Sequence, residues 1–116
     1  MTKVIIVCLL LALVMGFRSH YKEAGSTDGD ELYTLVDESV EGQYRKDLLL
    51  YAGILRKACN DGVFSLGSMD RMMTRIAQNK ISEIGRLYKE KVDNDIGNQI
   101  LGFNAKMRRS CNLYLL

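Results

Sequence analysis

V-D-N-D-I-G, residues 92–97, is the stretch that decides the predicted fold. Apolar residues recur at helical spacing on both sides of it, over residues 69–92 and again over 96–107. Asp and Asn are poor helix formers but good helix caps. The chain therefore either continues as one helix over residues 68–110 or turns near Asn94.

A disulfide between Cys59 and Cys111 would favour the turn near Asn94 over the continuous helix. One unbroken helix would be roughly 60 Å long and would carry Cys111 far from Cys59, whereas a disulfide needs Cα atoms within about 7 Å. A turn near Asn94 instead makes three helices that run up, down and up. It places the two cysteines at the adjacent C-terminal ends of the first and third helices. Two unrelated buried thiols are the alternative if the chain stays in the cytosol.

The compartment is predicted from the N-terminus, where Lys3 precedes the apolar run V-I-I-V-C-L-L-L-A-L-V-M-G-F, residues 4–17. A basic start, an apolar run and a small residue at its end are typical of a secretory signal peptide. As a helix this run spans roughly 21 Å, short of the ~30 Å hydrocarbon core. We predict a signal peptide over residues 1–17, cleaved after Gly16, with an uncleaved anchor as the alternative. Export to the extracellular space, a vesicle lumen or a periplasm favours the disulfide.

The composition indicates one small all-α domain. The 116 residues are 47% hydrophobic and 26% charged, unlike a disordered chain. Proline is absent, which leaves helices uninterrupted. Residues 23–47 hold eight acidic residues against Arg45 and Lys46, whereas residues 48–116 hold eleven basic residues against six acidic. This division predicts an acidic first helix packed on basic later ones, with a separate anionic partner as the alternative.

The first predicted helix opens the bundle domain, residues 30–116, after a flexible arm over residues 18–29. Asp28 is its predicted cap, Gly42 predicts a kink or a break, and residues 60–62 end it. Its apolar stripe predicts core positions at Leu32, Leu35, Val36, Val40, Tyr44, Leu48, Tyr51, Ala52, Leu55 and Ala58.

The second predicted helix is capped by Ser68, after a link in which Phe64 and Leu66 are expected to pack under the helix ends. Its apolar stripe predicts core positions at Met69, Met72, Met73, Ile76, Ala77, Ile81, Ile84, Tyr88 and Val92. An adaptable binding surface is the alternative interpretation of the methionine cluster.

The C-terminal segment carries two cations at a helix C-terminus, where they are favourable, and then an apolar tail. The tail is expected to fold back on the bundle, and the alternative is exposure to a membrane or a partner. We predict a partner-contacting surface that comprises Arg108, Arg109, Leu113, Tyr114 and Leu115.

No catalytic or cofactor motif is recognisable in the sequence. His20 is the only histidine and has no cysteine near it in sequence, so we predict no metal or cofactor. The acidic cluster of Asp37, Glu38 and Glu41 is interpreted as a solvated helix face rather than an acid–base pair. An aromatic and basic platform for nucleic acid is also lacking. These patterns favour a protein that works by binding.

Four short segments resemble the gastropod sperm lysins. They are R-S-H-Y at residues 18–21, the helix end at residues 53–62, K-I-S-E-I-G-R at 80–86 and D-I-G-N-Q-I at 95–100. The resemblance implies an exported helical acrosomal protein that opens an egg envelope by binding, without hydrolysis.

We therefore expect an exported, non-enzymatic helical protein that binds an extracellular protein or glycoprotein. Its setting would be the acrosome at fertilisation, with contact to an egg coat or membrane surface. The alternative is a bacterial or phage-encoded periplasmic inhibitor or regulator that binds an envelope protein.

The first prediction concerns processing. The mature protein should begin at residues 17–19, because the apolar run is short and ends in a small residue. N-terminal sequencing or intact mass of exported material measures this directly. Recovery of the full 116-residue chain from a membrane fraction would instead support the anchor.

Overall fold

The computed structural model describes residues 26–116, and this part of the chain is an all-α bundle of four helices. The helices are α1 (Ser26–Ser39), α2 (Arg45–Asp61), α3 (Ser68–Lys91) and α4 (Asn94–Ser110). Short 3₁₀ turns lie at Gly42–Tyr44, Val63–Ser65 and Leu113–Leu115. The predicted signal peptide or anchor, residues 18–25 of the arm and His20 lie outside the described residues.

Successive helices run antiparallel, and each packs against two others: α1 and α3 both contact α2 and α4. At one end of the bundle the ring of Tyr44, just before α2, meets the ring of Tyr88 near the end of α3 edge-on, with centroids 6.1 Å apart. At the other end, Asp28 in the first turn of α1 pairs with Lys106 near the end of α4 at 3.3 Å. The topology is therefore up, down, up and down.

The core lies along the axis shared by the four helices, where each contributes apolar side chains at helical spacing. Burial of this apolar surface is the main force that holds the helices together. The side chains with no exposed surface are Leu32, Val36, Val40, Leu48, Ala52, Leu55, Ala77, Ile81, Ile100 and Met107.

The predicted disulfide and the predicted chain reversal are both confirmed. Cys59 and Cys111 are bonded, with Cα atoms 4.9 Å apart. The reversal is short, since α3 ends at Lys91 and α4 begins at Asn94. Asp93 caps α4, because its Oδ1 accepts a hydrogen bond from the backbone N–H of Ile96 at 3.0 Å.

The number of helices was predicted incorrectly. Of the two outcomes predicted at Gly42, a kink or a break, the structure has the break, which divides the first predicted helix into α1 and α2 over residues 40–44. Gly42 has a φ of +83°, a backbone conformation that ends a helix and that glycine adopts without steric cost. Three predicted helices thus become four, and the cysteines mark the ends of α2 and α4.

Arg45 stabilises this break by reaching back from the first residue of α2 to the end of α1. Its guanidinium donates to the carbonyl oxygens of Asp37 at 2.5 Å and Val40 at 3.0 Å. It also pairs with the Asp37 carboxylate at 2.7 Å. These bonds satisfy carbonyl groups that the last turn of a helix leaves without partners.

The predicted helix starts also need correction. Helix α1 begins at Ser26, so Asp28 lies inside its first turn, and residues 26–29 of the expected arm are helical. Asp28 is 4% exposed and serves as the partner of Lys106 rather than as a cap. Helix α3 is preceded by Gly67 at its N-cap, and Ser68 is its first residue.

The acidic and basic parts of the sequence pack against each other, as predicted. Acidic α1 lies between α2 and α4, which carry basic residues at the facing ends. Asp30 pairs with Arg56 of α2 at 3.0 Å, in addition to the pair between Asp28 and Lys106. The Asp30 pair is exposed and adds little to stability, but both pairs join oppositely charged helices.

The disulfide prediction is tested by replacing Cys59 and Cys111 together with serine. The bond closes a loop across 52 positions, which in the chain-entropy treatment stabilises the fold by about 4 kcal/mol. We expect the melting temperature to fall by more than about 10 °C, taking roughly 4–8 °C per kcal/mol. Helix content by circular dichroism should survive at low temperature. A melting temperature lowered by less than about 4 °C, the shift expected for roughly 1 kcal/mol, would contradict this role.

The tight packing of α3 on α4 is tested with a matched pair of glycine substitutions. A Cβ added at Gly97 would overlap the backbone of Lys89, so Gly97→Ala should destabilise the protein by about 1–3 kcal/mol. Gly102, also in α4, has nothing within 4 Å of its added Cβ. Gly102→Ala should therefore raise the free energy of unfolding by about 0.5–1 kcal/mol. Urea unfolding measures the free energy of unfolding of both variants. Equal changes in the two would contradict the close approach of α3 to α4 at Gly97.

Candidate functional site

Several chain segments meet around the disulfide at one end of the bundle, which we call the disulfide end. They are the start of α1, the end of α2 with the start of α3, and the chain that follows α4. An added Cβ on Gly29 of α1 would lie 2.9 Å from the Cα of Arg56 and 3.1 Å from the Cβ of Cys59. The exposed apolar residues of α3 and the grooves beside α4 lie at this end or extend from it along α3 and α4.

An exposed apolar face occupies the first two turns of α3. Its four residues stand at i, i+3, i+4 and i+7, which places them on one side of the helix. Their exposed fractions are 67% for Met69, 47% for Met72, 40% for Met73 and 42% for Ile76. We call these four residues the α3 apolar face. Phe64, in the preceding 3₁₀ turn, is 71% exposed.

The prediction that the methionine cluster and Phe64 belong to the core is therefore wrong. Helix α3 buries a different side, with Thr74, Ala77, Ile81 and Tyr88. The polar member of that set is accommodated because the Thr74 hydroxyl donates to the carbonyl of Asp70 at 2.7 Å. The first turns of α3 thus carry apolar residues on two sides, and the exposed side agrees with the alternative interpretation as a binding surface.

The C-terminal segment folds back on the bundle, as expected. Asn112 adopts the left-handed conformation, with a φ of 57°, and the chain then directs Leu113 into the core. Leu113 is only 2% exposed, so its place in the predicted partner-contacting surface is wrong. Tyr114 is 59% exposed and Leu115 is 42% exposed.

The two arginines predicted for that surface are exposed near the end of α4 and line grooves beside the tail. One groove, of about 430 Å³, runs between α3, α4 and the tail, and Arg75 and Arg108 both line it. A second, of about 650 Å³, is lined by Arg108 and Arg109. Tyr114 lines both grooves, so they adjoin. Among the described residues no aspartate or glutamate side chain lines either one.

Asn104 lies in the wall of the first groove and is 7% exposed. Its Nδ2 donates to the Gln78 carbonyl at 3.1 Å and to Ser82 Oγ at 2.8 Å. The backbone carbonyl of Gln78 can only accept a hydrogen bond, so the atom of the Asn104 amide that faces it must be the nitrogen. The Asn104 Oδ1 is buried and accepts no hydrogen bond. A buried acceptor without a partner is costly and uncommon.

Sequence reasoning missed Arg75, Asn104 and Ser82. The available signal was a row of polar residues along one side of α3, at Arg75, Gln78, Asn79 and Ser82. Such a row usually indicates a solvated face. Here the end of α4 and the tail pack beside it and turn that face into the wall of a groove.

The carboxylates of the acidic cluster are exposed at the end of α1 and just after it. Asp37 is paired with Arg45, while Glu38 and Glu41 are exposed. Within residues 26–116, no group of three or more potential ligands could hold a metal ion. None of the helices in this range is long and apolar enough to cross a membrane.

Comparison of the chain with protein-family models, with curated proteins and with solved structures finds no match.

Proposed function

We propose that this chain is an exported, non-enzymatic binding protein that docks onto an extracellular protein through the α3 apolar face. The observation that carries the proposal is the exposure of Met69, Met72, Met73 and Ile76 on one side of one helix. Single exposed apolar residues are ordinary, but an apolar stripe over two turns is typical of an interaction surface.

The chemistry of this face suits a protein partner. Methionine is enriched in protein interfaces, and its flexible side chain adapts to irregular apolar surfaces. Burying one side chain of this size is worth roughly 1.5–3 kcal/mol. The face is also flanked by charged groups, with the exposed Asp70 directly after Met69 in its first turn and the exposed Lys80–Glu83 pair, 3.6 Å apart, beyond its end. An apolar centre with a charged rim is the usual arrangement of such interfaces.

The proposed setting is an oxidising compartment, either the extracellular space or a vesicle lumen. The leader pattern and the disulfide between Cys59 and Cys111 support it. The segments that resemble the sperm lysins suggest the acrosome, with an egg-coat glycoprotein as partner. Two of those segments, at residues 80–86 and 95–100, lie in α3 and α4.

The docking proposal predicts that charge on the α3 apolar face abolishes binding. A photo-crosslinking residue at position 72 would identify the partner in native secretions. The affinity of the purified partner would then be measured for wild type, Met69→Lys and Met72→Lys. We expect each substitution to weaken binding roughly tenfold or more, about 1.4 kcal/mol, because a lysine ammonium would be desolvated in the interface.

Gln99→Lys is the matched control, since it adds the same charge at an exposed position on α4. It should leave affinity within about twofold, and thermal melts should show all three variants folded. Unchanged affinity in both methionine variants would contradict the proposal. Crosslinks to lipid alone, or to a second copy of this chain alone, would also overturn it, in favour of membrane contact or self-association.

A further inference from the structure

We propose that the two adjoining grooves beside α4 bind a segment of an anionic polysaccharide, one that carries sulfate or uronic acid groups. This site lies beside the tail and does not use the residues of the α3 apolar face. It would give the protein a second and independent ligand.

The positive charges in the grooves favour an anionic ligand. Arg75, Arg108 and Arg109 line them, and in the described part of the chain none of the three takes part in an ion pair. Arg45 and Arg56, in contrast, are paired with aspartates at 2.7 and 3.0 Å. Arginine binds sulfate and carboxylate through two parallel N–H donors. The groove arginines retain that capacity.

The other groups that line the grooves distinguish a sugar from a simple anion. A sugar ring offers hydroxyl groups next to its anionic substituents, so one ligand binds both the arginines and the polar side chains beside them. Gln78, Asn79 and Ser82, in the same wall, add amide and hydroxyl groups that suit sugar hydroxyls.

The dimensions of the site favour a chain rather than a single small anion. The two grooves measure about 430 and 650 Å³, each within the range of small-molecule sites. They adjoin at Arg108 and Tyr114, and the arginines are distributed along them. Tyr114 is 59% exposed at the junction, where its ring offers an apolar surface to a sugar face.

The test is calorimetry of the full mature chain with a heparin-derived hexasaccharide. We expect binding at least tenfold tighter than that of the neutral maltohexaose. Arg108→Gln should weaken it tenfold or more, because Arg108 lines both grooves. Arg86→Gln is the matched control, since Arg86 is exposed on α3 and lines neither groove. The affinity of Arg86→Gln should stay within twofold of wild type, as should that of Met72→Ala, which alters the α3 apolar face without adding charge.

A second measurement places the ligand in the first groove. In amide nitrogen–proton spectra, the side-chain NH₂ of Asn79, which is exposed in the groove wall, should shift more on addition of the hexasaccharide than on addition of inorganic sulfate at equal charge. Hexasaccharide binding no tighter than that of sulfate would overturn the proposal. Equal affinity for a thymidine oligonucleotide or for oligoglutamate would overturn it as well, since it would indicate a general polyanion surface.

Discussion

The bond between Cys59 and Cys111 is the constraint on which the functional end of this protein depends. It joins the ends of α2 and α4, two helices that run in the same direction and are separated by the whole of α3. Because α3 must start and α4 must end beside this bond, the first turns of α3 and the last turns of α4 lie at the same end of the bundle. The chain after Cys111 then folds back, anchored by Leu113 in the core. Both proposed surfaces follow from this arrangement.

Helix α3 shows how the two surfaces become distinct. One side of the helix enters the core through Ala77, Ile81 and Tyr88. Its polar side faces the end of α4, where Arg75 and Asn104 line a common groove, and its remaining side carries the exposed methionines. A single helix therefore contributes to the core, to a polar groove and to an apolar docking surface, and a substitution on one side can be made without changing the others.

The break between α1 and α2 and the groove beside α4 differ in the interactions that stabilise them. The break between α1 and α2 is stabilised locally, by Gly42 and by the hydrogen bonds that Arg45 donates to the last carbonyls of α1. The groove is stabilised by contacts between distant segments, such as the bond from Asn104 to Gln78, 26 positions away. Features of the second kind depend on the bundle being assembled, and the unpartnered Asn104 Oδ1 is tolerated because the surrounding core already holds α4 in place.

The amino-acid sequence alone determined that the protein is helical, where the chain reverses near Asn94, which residues of α1 and α2 form the core, and which cysteines pair. These properties follow from local capping, from the period of apolar residues and from the short reach of a disulfide. Only the tertiary structure decided which side of α3 is buried, that the chain breaks around Gly42 rather than bending there, and that Leu113 is core while Tyr114 is surface. Helical periodicity identifies the apolar sides of a helix, but its neighbours decide which side is covered. Asn104 and Arg75 are 29 positions apart in sequence, and they line one groove only because α3 and α4 pack together.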